Sequence, residues 1–352
     1  MVKYESICAL IEQRIRFGDY AMKELPAEAR LASEVGVSRM TARRAILQLV
    51  KKGLLIRKPN GRLIVNRQAL SSKSQPQIAL LMPAFVSAEF ELWRASLAHT
   101  CTKFEARLRK VDFVHWNDPV IAETLDSFDG VFLLPSSAPV PDAMMERFRE
   151  SRTPVVSLDC DWTKHGIRSI ELCPPVHLRD LLDHLVKLGH ERIACLNTQP
   201  VDDVIERRLA EIQRWQSDRK MHGRLINEPV KPMDDALTKA HEVVSKFLQA
   251  RKPDFTAVIA TTMYSAVGVM RAFHESGLRV GQDISVCAPC DEGLARYLIP
   301  SLTSTQVPDP GPFLEVGLEW MLKIGTGWPS ALLLQPNSVS LFRGESTGTC
   351  PA

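Results

Sequence analysis

No stretch of this 352-residue sequence is long and apolar enough to span a membrane. The longest run without a charged side chain, Ile324 to Phe342, is broken by Pro329, Gln335, Pro336 and Asn337. Near the amino terminus, Glu5 and Glu12 interrupt any apolar segment, so no secretory signal is expected and the chain reads as cytoplasmic. The usual catalytic signatures are missing too. There is no Gly-x-Ser-x-Gly and no glycine-rich phosphate cradle, and none of the nine histidines stands at His-x3-His or similar ligand spacing. Glu171, His177, Asp180, Asp183 and His184 offer acids and bases, but most fall on a helix at ordinary solvated spacing. No metal, no cofactor and no enzymatic activity are expected. The eight cysteines are irregularly spaced and read as reduced, small apolar residues; Cys287-x-x-Cys290 lacks the second pair that a zinc site needs.

What is present is an uneven distribution of charge. The net charge of +3 conceals a basic amino-terminal segment: residues 1–70 hold 14 Lys and Arg against 6 Asp and Glu. The remainder carries 30 basic and 35 acidic residues and is mildly negative. At roughly 150 residues per domain the length suits two or three domains, so a small basic module joined to a larger acidic body is expected. Such a module suits a polyanionic partner.

Within the module, Tyr4, Ile7, Ile11 and Ile15 recur at helical spacing and predict a first helix ending near Gly18. Leu25-Pro26 starts a short second helix with Leu31, Ala32 and Val35 on its buried stripe, and Gly36 closes it. Ser38 is a natural cap for a third helix running to about Lys52. Ala42, Ala45, Ile46, Leu49 and Val50 form its apolar face, and Arg39, Thr41, Arg43 and Arg44 lie on or beside the other. Leu54–Ile56, a Pro59-Asn60-Gly61 turn and Leu63–Val65 then read as a hairpin. Three helices followed by a basic hairpin make a small α+β winged helix-turn-helix, whose third helix can enter a major groove.

At these residues the chain resembles the GntR family of bacterial transcription regulators. The matching text is Leu25-Pro26-Ala27-Glu28, Leu31-Ala32, Gly36-Val37-Ser38-Arg39, Thr41, Arg43, Leu49 and Gly53-Leu54. The resemblance implies DNA contacts from Glu28, Arg30, Ser38, Arg39, Thr41, Arg43 and Arg44, with Asn60, Gly61 and Arg62 at the wing. Two departures stand out: Ala29 occupies a usual arginine position, with Arg30 one place later, and Arg44 replaces a common glutamate.

Residues 67–76 read as a linker. Beyond them, apolar runs alternate with helical stretches. The predicted strands are Ile78–Met82, Gly130–Leu134, Val155–Leu158, Arg192–Leu196, Thr256–Ala260 and Ile284–Cys287. The predicted helices include Val176–Leu188, Asp203–Met221, Ala236–Ala250, Tyr264–Ser276 and Phe313–Ile324. This alternation predicts parallel sheets, arranged as two α/β lobes with a ligand cleft between them. The expected boundaries are 77–171 with 308–336 for one lobe, and 172–307 with 337–348 for the other.

Residues 77–348 resemble the sugar-sensing core of LacI/GalR regulators, which is related to periplasmic binding proteins. The resemblance rests on Leu188-Gly189-His190-Glu191-Arg192-Ile193-Ala194, Met270-Arg271-Ala272-Phe273 with Gly277-Leu278, Asp283-Ile284-Ser285-Val286, Pro300-x-Leu302-Thr303, and Arg343 to Gly348. A GntR-type head on this core is the arabinose-repressor-like arrangement. It implies a homodimer formed through the body, a palindromic operator and a carbohydrate-related effector. The aligned cleft positions are Asp159, Glu206 where an arginine is expected, Thr261 where an amide or acid is expected, and Cys290 where an aspartate is expected. A one-residue shift brings Arg207 and Asp291 into those roles instead. Phe85 and Phe90 are candidate stacking residues, and core packing is the alternative for them and for Trp93. With the first alignment, hydroxyls are left unpaired at about 1–3 kcal/mol each, so common pentoses and hexoses are expected to bind weakly. The resulting expectation is a DNA-binding repressor controlled by a small effector. The alternative is a regulator with a degenerate cleft, ligand-independent or governed by a protein partner.

Overall fold

The computed structural model describes the chain except for residues 1–2, 17–18, 21–24, 60, 67–74, 85–86, 222, 233, 292, 325–327, 330 and 352. Asn60, Phe85 and most of the expected linker therefore lie outside the described residues.

Helix α1 (Lys3–Arg16) buries Ile7, Cys8, Ile11 and Ile15, as its spacing requires. Helix α2 (Glu28–Glu34) is too short to stand alone and is held by Leu31 and Ala32. It starts two residues later than Leu25-Pro26 suggests, because Pro26 precedes the capping residue Ala27. Gly36, at φ +66°, supplies the left-handed turn into α3 (Arg39–Lys51). Strands β1 (Leu55–Arg57) and β2 (Leu63–Val65) pair antiparallel, with Leu55 opposite Val65, and Leu54, Leu55 and Leu63 close the small core.

The first lobe is built on β3 (Gln77–Pro83), α4 (Ala88–Lys103), β4 (Arg107–Phe113), α5 (Pro119–Leu125), β5 (Gly130–Leu133), α6 (Asp142–Glu150), β6 (Val155–Leu158) and β7 (Arg168–Ile170). The second contains α7 (Leu178–Lys187), β8 (Ile193–Asn197), α8 (Asp203–Asp218), β9 (Leu225–Asn227), α9 (Ala236–Ala250), β10 (Ala257–Ala260), α10 (Met263–Glu275), β11 (Ser285–Asp291) and β12 (Thr303–Gln306). The chain then returns to the first lobe through α11 (Gly311–Leu322) and β13 (Leu333–Leu334), and ends in the second with β14 (Leu341–Phe342). The sheet orders are β13-β7-β6-β5-β3-β4 and β14-β12-β11-β10-β8-β9, parallel except for β12 with β14.

Both sheets are covered on two faces, which is why their central strands are continuously apolar. Along β3, Ile78, Leu80 and Met82 pack with Trp93, Leu97, Leu314 and Leu318, while Ala79 and Leu81 pack with Ile121, Leu125 and Phe148. In β8, Ala194 and Leu196 meet Val244 and Phe273, whereas Ile193 and Cys195 meet Leu181 and Trp215. The elements that hydrophobic pattern alone does not predict are mostly edges. Strand β4 carries Arg107, Arg109, Lys110 and Asp112 because it borders its sheet. Strand β12 is Thr-Ser-Thr-Gln, and its buried hydroxyls are bonded internally, Thr303 Oγ1 lying 2.7 Å from Thr347 Oγ1.

Near the carboxyl terminus a polar knot fastens the second lobe. The buried His190 ring reaches Thr256 Oγ1 at 2.8 Å, Ser285 Oγ at 2.9 Å and the Gly348 carbonyl at 3.0 Å. Burial holds its pKa below the usual histidine range, and the bond to the Gly348 carbonyl opposes this. The Ser346 hydroxyl donates to the Val286 carbonyl and accepts from the Thr303 amide.

One expectation is corrected here. Cys173 and Cys290 are joined as a disulfide rather than standing as reduced thiols, because the segment leaving β7 passes the end of β11 with the two Cα atoms 6.1 Å apart. The partner of Cys290 is thus not Cys287, which is fully buried.

Candidate nucleic-acid interface and interlobe cleft

On the head, helix α3 divides cleanly into two faces. Ala42, Ala45, Ile46 and Leu49 are fully buried, which forces Arg39, Arg43 and Arg44 outward into solvent. The Ser38 side chain caps the helix by accepting from the Thr41 amide at 3.2 Å, and its hydroxyl lies 2.8 Å from that of Thr41. Among the described residues, none of these three arginines forms an ion pair. Arg30 and Arg57, by contrast, are engaged. Arg30 pairs with Glu34 at 3.2 Å, and Glu28 pairs with Arg57 of β1 at 3.2 Å. Arg62 is exposed, and Gly61 sits at φ +80° in the turn between β1 and β2. Three arginines without ion pairs among the described residues therefore stand together on the outer face of one helix, where guanidinium forks suit base edges and phosphates.

Between the lobes lies a cavity of about 620 Å³, at the carboxyl ends of β5, β6, β8 and β10. Phe90, Asp159 and Glu206 line it, as does Trp162. Asp159 follows β6 in a left-handed conformation, φ +53°, and its carboxylate accepts from Trp93 Nε1 and from the Leu172 amide at 3.3 Å. Its pKa is pushed well above the carboxylate range by burial, reinforced by the Glu89 carboxyl hydrogen-bonded to it; the Trp93 and Leu172 bonds act in the opposite direction. Asp202 caps α8 by accepting from the Ile205 amide at 2.9 Å, and burial raises its pKa against that bond and the charge of Arg208.

The other expected cleft residues are placed differently. Arg207 turns away to Glu171, at 2.5 Å, and Asp203, at 3.2 Å; the arginine on the cavity wall is Arg208. The Arg208 guanidinium donates to the Thr261 carbonyl at 2.9 Å and to Cys290 Sγ at 3.2 Å. The buried Thr261 hydroxyl donates to Asn197 Oδ1 at 2.7 Å, and Thr262 lines the cavity in its place. Asp291 is folded into its own loop, accepting from the Gly293 and Ala295 amides at 2.8 and 3.0 Å. Cys290 is occupied by the bond to Cys173, which does line the cavity.

Sequence reasoning weighed Glu171 only as a catalytic acid and did not count it, Arg208 or Thr262 among the expected cleft residues. A usable signal existed for Arg208. Ile205, Leu209, Ile212 and Trp215 mark the buried face of α8, and Arg208 sits beside that face while Arg207 points about 100° away. The cavity is also more acidic than any single motif suggests. Glu89, Asp159 and Glu171 come from the first lobe and its exit strand, and Asp202, Asp203, Glu206, Asp234 and Asp235 from the second. Arg208 is the one arginine among the lining residues. Among the described residues no group of His, Cys, Asp and Glu is arranged to hold a metal ion, and no helix is long and apolar enough to cross a membrane.

Comparison with known proteins agrees with this division. Residues 3–65 match the profile of bacterial regulatory proteins of the gntR family, and residues 182–310 match that of a periplasmic binding protein-like domain. The probable HTH-type transcriptional repressor ExuR of Bacillus subtilis is 26% identical over 186 residues, 51% of this chain and 53% of that protein. The lactose operon repressor of Escherichia coli is 34% identical over 129 residues, 35% of this chain and 33% of the repressor. The chain thus spans between a third and about half of these relatives' own length. Among solved structures, a LacI family regulator from Arthrobacter in complex with lactose superposes with TM-score 0.64 at 19% identity, covering 78% of this chain and all of that one. The lac repressor dimer bound to operator and an anti-inducer gives 0.62 at 22% identity, covering 81% and 99%.

Proposed function

Because the chain joins a gntR-type helix-turn-helix head to a periplasmic binding protein-like body, we propose that it is a DNA-binding transcription regulator, a repressor, whose operator affinity responds to a small ligand in the interlobe cleft. The observation that carries this reading is the outer face of α3: Arg39, Arg43 and Arg44, exposed and free of ion pairs among the described residues, above a fully buried inner face. Arg39 and Arg43 are one helical turn apart, so both reach the same groove. One such head covers a single half-site, and useful specificity over genomic DNA needs two. A homodimer on a palindromic operator follows, in keeping with the lac repressor dimer seen on its operator.

The Arg43→Ala substitution tests this. Loss of one base or phosphate contact is expected to weaken binding to a selected operator about tenfold. Because the side chain is exposed, thermal stability stays unchanged. Equal affinity of the two proteins in a gel-shift titration at fixed salt overturns the placement of α3 in the groove.

The cleft suits a cationic or amine-bearing effector better than an acidic sugar. Arg207 already pairs with Glu171 and Asp203, which leaves Glu89, Asp159, Asp202, Glu206, Asp234 and Asp235 around the cavity with Arg208 as the one arginine in its lining. A protonated amine relieves their mutual repulsion as the lobes close, whereas an anion adds to it.

A further inference from the structure

We infer that Cys173 and Cys290 form a reversible thiol–disulfide site whose oxidation fastens the first crossover between the lobes to the sheet of the second. The bond joins two elements that are remote in sequence, 117 residues apart, and it does so at the place where relative motion of the lobes must be absorbed. Cys173 belongs to the segment between β7, the last consecutive strand of the first sheet, and α7, the first helix of the second lobe. Cys290 lies near the end of β11, a central strand of the second sheet, at a point where its pairing with β12 is irregular. With the sulfurs joined, the crossover is anchored to that strand. With them separate, it is held there only by noncovalent contacts.

Three features make these two cysteines the reactive ones. Their Cα separation of 6.1 Å falls within the range that a disulfide spans without backbone movement. Both are half-buried, and Cys173 lines the cleft, which gives a small oxidant a route to the pair. The Arg208 guanidinium lies 3.2 Å from Cys290 Sγ and favours the thiolate over the thiol once the bond is reduced. The remaining cysteines differ. Cys8, Cys101, Cys160, Cys195 and Cys287 are buried, and burial pushes Cys101, Cys160 and Cys195 up to about 12, which keeps them protonated. Cys350 is half-buried and, like these five, has no disulfide partner.

The chemistry closes with a peroxide as oxidant. The Cys290 thiolate attacks one peroxide oxygen, breaking the O–O bond and leaving a sulfenic acid and hydroxide. The Cys173 thiol then attacks the sulfenic sulfur; the disulfide forms, and the sulfenic oxygen leaves as water with the thiol proton. Overall, two thiols and one hydrogen peroxide give one disulfide and two waters. A dithiol returns the pair to thiols by exchange and is itself oxidised to a disulfide. In a reducing compartment such a bond is transient and reports oxidation rather than serving as a permanent staple.

The test uses the full chain and needs neither operator nor effector, so it can fail independently of the regulator reading. Protein reduced with dithiothreitol is treated with about one equivalent of hydrogen peroxide, alkylated and mapped by mass spectrometry. The expected result is a Cys173–Cys290 link that dithiothreitol reverses, with the five buried cysteines unmodified. Hydrogen exchange then reads the anchoring: amides between residues 171 and 178 are expected to slow about tenfold in the oxidised protein. In Cys173→Ser and in Cys290→Ser, peroxide produces no such slowing. The inference is overturned if Cys173 and Cys290 alkylate fully after peroxide or proceed to sulfinic acids without linking. It is equally overturned if the link forms and exchange over 171–178 is unchanged. Should a serine variant fold poorly, the reduced and oxidised wild-type proteins alone still decide between these outcomes.

Discussion

Replacing Arg207 by methionine removes the counter-ion of a carboxylate that has no ready access to water. The Glu171 side chain is only 3% exposed, and Arg207 holds both of its oxygens, at 2.5 and 3.2 Å. Removing one partner of such a pair strands a buried charge, at a cost of about 3–5 kcal/mol. The second ion pair of Arg207, with the part-exposed Asp203, contributes at most about 1 kcal/mol. Most of the loss should therefore be the Glu171 charge itself, and converting that residue to glutamine should recover it. The expected pattern in urea unfolding at neutral pH is a large loss for Arg207→Met and a double variant, with Glu171→Gln, that is more stable than the single. The coupling should be about 2 kcal/mol or more, at the high end for residues in direct contact. An Arg207→Met loss below about 1 kcal/mol, or strict additivity in the double variant, would refute the reasoning.

Asp159→Asn should change the pH dependence of stability. The pKa of Asp159 is raised on folding, so the folded state binds more protons and this group's contribution falls as pH rises above about 4. The asparagine variant should gain in melting temperature relative to wild type as pH rises above about 4, and a pH-independent difference would count against this. Gly268→Val should separate α9 from α10, since a Cβ at Gly268 meets the Leu237 carbonyl oxygen at 2.3 Å and Ala240 Cβ at 2.9 Å. Overpacking of this kind costs about 1–3 kcal/mol, and an unchanged melting temperature would contradict the close helix contact. In calorimetric titrations, amine-bearing sugars and polyamines should bind the cleft more tightly than uronic acids, by about tenfold or more. Tighter binding of the acids would reverse the charge argument.

The head was largely legible because most of its buried positions among the described residues lie on short, local patterns: Ile7, Ile11 and Ile15 on one stripe, and Ala42, Ala45, Ile46 and Leu49 on another. The central strands of both sheets were legible for the same reason, and Val155–Leu158 and Ala236–Ala250 coincide with their expected ranges. Edge strands were not, since their exposed faces admit Arg109 and Lys110 and dissolve the apolar signal. The cleft was harder still. Whether Arg207 or Arg208 faces the cavity is a rotation of one residue on α8, decided by Trp215 and Ile212 packing under the helix. Thr261 and Thr262 exchange roles because Asn197, from another strand, captures the first hydroxyl. The Cys173–Cys290 proximity depends on where the chain crosses between lobes, and sequence spacing does not encode that.

The knot around His190 has a bearing on biosynthesis. The ring is satisfied in part by the Gly348 carbonyl, and the Ser346 hydroxyl bridges to the Val286 carbonyl. The first lobe likewise borrows α11 and β13, which arrive only after the second lobe's helices have been made. Neither lobe can finish its core until α11, β13 and the Ser346–Gly348 segment have left the ribosome. The head, complete by residue 65, can fold as soon as it emerges. A ribosome stalled beyond the head but before α11 thus displays a folded head on an open, unassembled body. On the function proposed above, the head would be folded before the cleft that is proposed to control it.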